Sequence, residues 1–105
     1  MQFPYVKIAV YVPSSHADLV RSALANAGAG HVGNYDYCSF SVKGIGRFRG
    51  APGTRPFVGE AGNIESVEEE RIETICPHEK LEDVLNAVKK VHPYEEPAID
   101  VYPLL

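Results

Sequence analysis

Pro93 and Pro97 bracket a stretch, His92-Pro93-Tyr94-Glu95-Glu96-Pro97, that neither a helix nor a central strand can absorb. Proline fixes its own φ, lacks an N–H and drives the residue before it towards extended geometry. These six residues therefore predict a stiff, non-helical corner. Upstream, Leu81, Val84, Leu85, Val88 and Val91 recur at helical spacing, which predicts a helix from about His78 to Val91. Downstream, Ile99 and Val101 point one way in a short strand, Ala98 to Tyr102, that Pro103 ends. The corner thus places one imidazole, one phenol and two carboxylates on a rigid joint between two elements.

The rest of the chain supplies three more strands and one more helix. Val6, Ile8, Val10 and Val12 alternate with Tyr5, Lys7, Ala9 and Tyr11, which predicts a first strand over Tyr5 to Val12. Ser15 with Asp18 resembles a capping box ahead of Leu19, Val20, Ala23, Leu24 and Ala27, giving a helix from His16 to Ala27 with Gly28 as its C′ glycine. Alternation from Tyr35 to Lys43 predicts a second strand, with Cys38 mid-strand and inward, on one face with Phe40 and Val42, and Tyr35, Tyr37, Ser39 and Ser41 on the other. Glu65 to Cys76 reads as a third strand with Ile72, Thr74 and Cys76 inward, and Glu68-Glu69-Glu70 as its solvated end.

Between those two strands lies Gly44 to Asn63, rich in glycine and carrying Arg47, Arg49 and Arg55 beside Lys43. Loops of that length are uncommon and usually functional or mobile. Ile45, Arg47 and Arg49 could instead extend the second strand as a ribbon.

The order β-α-β-β-α-β predicts an α+β, ferredoxin-like βαββαβ fold: a four-stranded antiparallel sheet, two helices on one face, and a long loop between the second and third strands. At 105 residues and 45% apolar, residues 1–105 read as a single domain with one modest core. The net charge of −4 argues against nucleic-acid binding. No run of 18 apolar residues is present, so no membrane partner is expected. The first residues lack the shape of a signal peptide, and two distant cysteines make no disulfide framework, so the cytoplasm is the expected compartment. Tyr5, Tyr11, Tyr35, Tyr37 and Tyr102 fall by parity on the sheet face that the helices leave open, which points to a homo-oligomer formed through that face.

Strand directions put His16, the glycine-rich loop and the His92 corner at one end of the fold. His31, Asn34, Cys76, His78 and Glu79 go to the other. A candidate metal site at the first end uses His92 with Glu95 or Glu96 and His16, since imidazole with carboxylate suits divalent ions. The competing reading has His92 capping the C-terminal carbonyls of its helix. A candidate anion site uses Lys43, Arg47, Arg49 and Arg55, with Tyr94 near by. The competing reading is a ribbon whose arginines pair with the acids from Glu60 onward. Gly44-Ile45-Gly46-Arg47-Phe48-Arg49-Gly50 misses dinucleotide-loop spacing by one residue and opens no helix. Cys38 and Cys76 read as small core residues, and no catalytic triad or paired acid and base is set up, so the chain reads as a binding module rather than an enzyme.

Gly30-His31-Val32-Gly33-Asn34-Tyr35-Asp36, the Gly-Arg-Phe loop and His92-Pro93-Tyr94-Glu95-Glu96-Pro97-Ala98 resemble the inserted domain of the NIF-three-like family (NGG-one-interacting factor three, YqfO type). The resemblance covers nearly the whole chain and implies a free-standing copy of a PII-like or CutA-like domain. In that family the dinuclear metal ligands belong to a flanking body, so no position here inherits them, and the label of GTP-cyclohydrolase homologue does not carry over. PII and CutA architectures imply trimers, ligands between subunits and contacts through the loop after the second strand. The expected function is a non-enzymatic binding or regulatory module that self-associates as a trimer or dimer. Its ligand, a small anion or a protein partner, meets the Gly/Arg loop and the His92–Pro97 corner. The alternative is a divalent-metal-binding, CutA-like protein, or a relative of metal-dependent hydrolases, with His92, Glu95 and Glu96 around the ion.

Overall fold

The computed structural model describes residues 3–105. Strand β1 spans Tyr5–Pro13, helix α1 Ala17–Asn26, β2 Phe40–Arg49, β3 Ile64–Pro77, α2 Leu81–Val91 and β4 Ile99–Pro103. A single 3-10 turn precedes each helix, at Ser14–His16 and His78–Lys80. The strands form one sheet in the order β2-β3-β1-β4 with every neighbour antiparallel. This is the ferredoxin-like arrangement that the pattern of elements predicts.

Parity decides which face is covered. Val6, Ile8, Val10 and Val12 of β1 face the helices with Ile72 and Cys76 of β3, and meet Val20 and Leu24 of α1 and Val84 and Val88 of α2. Each fully buried valine or isoleucine contributes about 1.5–3 kcal/mol relative to exposure, so this layer dominates the stability. Helix α1 ends as Gly28 allows. With Gly28 at φ +114, its N–H reaches Ala25 O and the Ala29 N–H reaches Leu24 O at 3.0 Å, a Schellman closure. The expected capping box does not form. No side chain caps α1; Asp18 pairs with Arg21 instead, one turn along the helix.

The second strand departs most from expectation. It starts at Phe40 rather than Tyr35 and runs on to Arg49, so the ribbon reading of Ile45, Arg47 and Arg49 holds and the irregular loop shrinks to residues 50–63. Tyr37 sits at φ +57, which reverses the alternation before the strand begins. Register then puts Ser41 opposite Ile72 on the helix side and Phe40 and Val42 on the open face. Cys38 lies outside the strand and is half-buried. Tyr35 and Tyr37 leave the sheet altogether, Tyr35 in an isolated bridge with Val32. The open face carries Tyr5, Tyr11 and Tyr102 as expected, joined by Phe40 and Val42.

Pro13 ends β1 opposite Glu69, so Ile45–Arg49 and Ile64–Glu68 project beyond the sheet as a two-stranded ribbon. Nor are the three consecutive glutamates one solvated end. Glu68 is exposed, but Glu70 is 8% exposed and takes the Arg21 guanidinium at 2.7 Å, while Glu69 turns towards the open face.

Candidate functional site

At the ribbon end of the sheet, the residues from His92 onward are tied into one bonded network. His92 closes α2: its N–H reaches Val88 O at 2.9 Å, and its extended backbone (φ −73, ψ 132) is the geometry the following proline demands. The residue is 7% exposed. Its Nδ1 accepts the Tyr94 N–H at 3.2 Å, which fixes the tautomer, so Nε2–H donates to the Tyr11 carbonyl at 2.8 Å. Burial pushes the His92 pKa down, against a smaller opposing effect of the bond to Tyr11. The imidazole is therefore neutral and joins the corner to β1. It does not act as a cation on the carbonyls of its own helix.

Tyr94 carries the network across the end of β1. Its hydroxyl donates to Glu69 Oε2 at 2.7 Å, and burial, then that carboxylate, push the phenol pKa far up. Gly46 makes room for the Glu69 side chain, since a Cβ there would overlap the carboxylate. The Tyr94 ring lies 5.0 Å from His92, 6.0 Å from Phe48 and 6.3 Å from Phe57, and Phe57 meets His16 edge-on at 5.2 Å. Loop 50–63 is closed at its base by Gly62 N–H to Gly50 O at 2.8 Å and pinned to the corner by Arg55 N–H to Glu95 Oε1 at 2.7 Å.

These groups surround an open cleft of about 520 Å³ on the uncovered sheet face. Of the residues picked out in the sequence, Arg47, Arg55, Tyr94, Glu95 and Glu96 come together around it. His92 stands behind Tyr94 with both ring nitrogens bonded, and His16 supports Phe57 while its Nδ1 meets Ser15 Oγ at 2.8 Å. Lys43 and Arg49 do not line the cleft. Among the described residues no three His, Cys, Asp or Glu side chains gather as a metal-ligand set, and no ion pair engages Arg47, Arg49 or Arg55. Sequence reasoning missed Tyr11, Phe48, Phe57, Glu69 and Asp100 as lining residues. The parity of β1 already placed Tyr11 on the open face; Glu69 and Phe48 needed the register of β2 on β3.

Cys76 is buried and its thiol is pushed up by burial, as suits a core residue rather than a nucleophile. No helix among the described residues is long and apolar enough to cross a membrane.

No protein-family model matches the chain. It is 52% identical over 101 residues to the GTP cyclohydrolase 1 type 2 homolog of Bacillus subtilis, a match covering 96% of this chain and 27% of that protein. A Bacillus cereus protein related to NIF3 has a solved structure that superposes with a TM-score of 0.80 at 48% identity, over 97% of this chain and 26% of that one. The periplasmic divalent cation tolerance protein CutA from Archaeoglobus fulgidus superposes with a TM-score of 0.69 at 22% identity, over 95% of this chain and 83% of that one. That last likeness is one of fold. The chain spans about a quarter of the length of the curated relatives it matches. It is a CutA-like, ferredoxin-like domain, related over nearly all of its length to a segment of the NIF3-family proteins called GTP cyclohydrolase 1 type 2 homologs.

Proposed function

We propose that residues 1–105 form one non-enzymatic binding module, which takes a small organic ligand in the cleft beside Tyr94 and self-associates through the open sheet face. The observation that carries this reading is the cleft itself. Aromatic rings of four different elements converge on it, and its shape is fixed by bonds from loop 50–63 and the His92 corner. Arg47, Arg55, Tyr94 and Glu96 are the residues assigned to ligand contact.

Self-association is supported by Tyr5, Phe40, Val42 and Tyr102, which are 44–66% exposed on one sheet face. A metal-handling reading is weaker, because ligation by His92 would break the bonds to Tyr11 and Tyr94 that hold the corner. The free thiols of Cys38 and Cys76 fit a reducing cytoplasm, which is part of the same reading.

Amide NMR during titration with benzyl alcohol, a neutral aromatic probe, tests the cleft. Tyr94, Phe48 and Phe57 are expected to shift; if all three stay fixed, the binding site is elsewhere or absent. Light scattering at micromolar concentration tests the open face. A multiple of 11.5 kDa that Val42→Lys lowers is expected, and an 11.5 kDa particle would remove the self-association half of the reading.

A further inference from the structure

We propose that the cleft beside Tyr94 selects an organic cation: an ammonium or guanidinium group carried on an apolar or aromatic body. The inference rests on the cleft reading above and adds the charge of the occupant.

Four carboxylates line the cleft, those of Glu69, Glu95, Glu96 and Asp100. Glu69 is held by the Tyr94 hydroxyl and Glu95 by the Arg55 backbone N–H. Both donors are neutral, so they orient these groups without cancelling their charge. Glu96 and Asp100 are exposed to whatever enters. Two cationic residues, Arg47 and Arg55, also line the cleft, so its carboxylates outnumber its guanidinium groups by two. Arg47 lines the cleft although strand parity puts it with Ser41, which meets Arg21 of α1, on the side opposite Phe48. Arg55 presents its backbone N–H, rather than its guanidinium, to Glu95.

The walls favour the same sign. Tyr94, Phe48, Phe57 and Tyr11 offer π-faces, whose quadrupole attracts cations. The open face already contains one such contact. Arg71 lies 5.7 Å over the Tyr11 ring from its register partner position on β3. A ligand cation on the other side of this aromatic cluster would meet the same attraction with carboxylates behind it. An anion would meet those carboxylates as like charges.

Three probes of nearly equal shape read the charge preference: benzylammonium, benzyl alcohol and benzoate, each titrated into the intact chain at low salt and followed by amide NMR. Benzylammonium is expected to bind about tenfold tighter than benzyl alcohol, as a cation–π contact beside carboxylates supplies. Benzoate is expected to bind weakest. Added salt should shrink the preference. The double variant Glu96→Gln/Asp100→Asn changes only exposed side chains. It should lose the preference, so that benzylammonium binds no tighter than benzyl alcohol. Equal binding of benzylammonium and benzyl alcohol, or tighter binding of benzoate, overturns the charge assignment and leaves the cleft standing. A preference that survives in the double variant overturns the roles of Glu96 and Asp100. If no probe moves Tyr94, Phe48 or Phe57, the cleft reading itself fails.

Discussion

Each half of this fold must carry the chain from the end of a helix into a strand, and the two halves do it by opposite means. After α1, residues 27–39 turn by backbone freedom. Gly28, Gly30 and Gly33 have φ of +114, +84 and +57, and the side chains from His31 to Tyr37 are exposed. After α2, residues 92–98 contain no glycine and two prolines, and a buried imidazole makes the bonds that the stiff backbone cannot. The first connection is built from missing side chains and the second from one indispensable side chain. The second gathers Tyr94, Glu95 and Glu96 around the aromatic cleft, because a proline-fixed backbone can hold Tyr94 and Glu95 in place without help from secondary structure.

The contrast fixes how each connection should fail, and one urea-denaturation series ranks the failures. His92→Ala removes a buried ring and strands both the Tyr11 carbonyl and the Tyr94 N–H, which should cost about 3 kcal/mol or more. Gly30→Ala comes next at about 2–3 kcal/mol, because it combines left-handed strain with a Cβ only 2.7 Å from the Cys38 carbonyl oxygen. Gly33→Ala has similar φ but open space around it, so about 1 kcal/mol is expected. His31→Ala should stay within about 0.5 kcal/mol. The comparison breaks if His31→Ala costs as much as His92→Ala, or if Gly33→Ala matches Gly30→Ala.

The same contrast explains what was legible in the sequence. Helix and strand periods, the glycine stop of α1 and the proline corner are local signals, and they suffice for the element order and the inward faces of β1, β3 and β4. They fail where one residue resets parity. Tyr37 at φ +57 is not visible in an alternating run, so that run starts β2 too early and reverses the sides taken by Phe40 and Val42. For the site, the corner announced Tyr94, Glu95 and Glu96 by composition. Their partners could not be announced, because Glu69 and Phe48 reach Tyr94 only through the pairing of β2 with β3. His92 was picked out for its chemistry, but its role is to be neutral and doubly bonded, and that depends on burial.

That burial sharpens the contrast once more, through pH. In the folded chain the His92 pKa lies below its unfolded value of 6.5, so the unfolded state binds more protons in between. The stability contributed by neutral His92 is complete above pH 6.5 and is lost as pH falls from there through the lower folded value. The slope due to this one group can reach about 1.4 kcal/mol per pH unit, and His92→Ala should remove it. Tyr94→Phe provides the control. It deletes the hydroxyl bond to Glu69, for about 1 kcal/mol at every pH below the phenol range, but keeps the Tyr94 N–H on Nδ1. Its stability curve should therefore run parallel to that of the parent through acid, while the His92→Ala curve should be flatter. If instead Tyr94→Phe abolishes the acid slope, the proton is taken up at a group other than His92. If neither variant changes the slope, acid acts on a group outside the corner. Protonating Nδ1 also turns it from acceptor to donor, so the Tyr94 amide of the folded chain should shift around the pH at which the loss of stability levels off, because the same protonation is responsible for both.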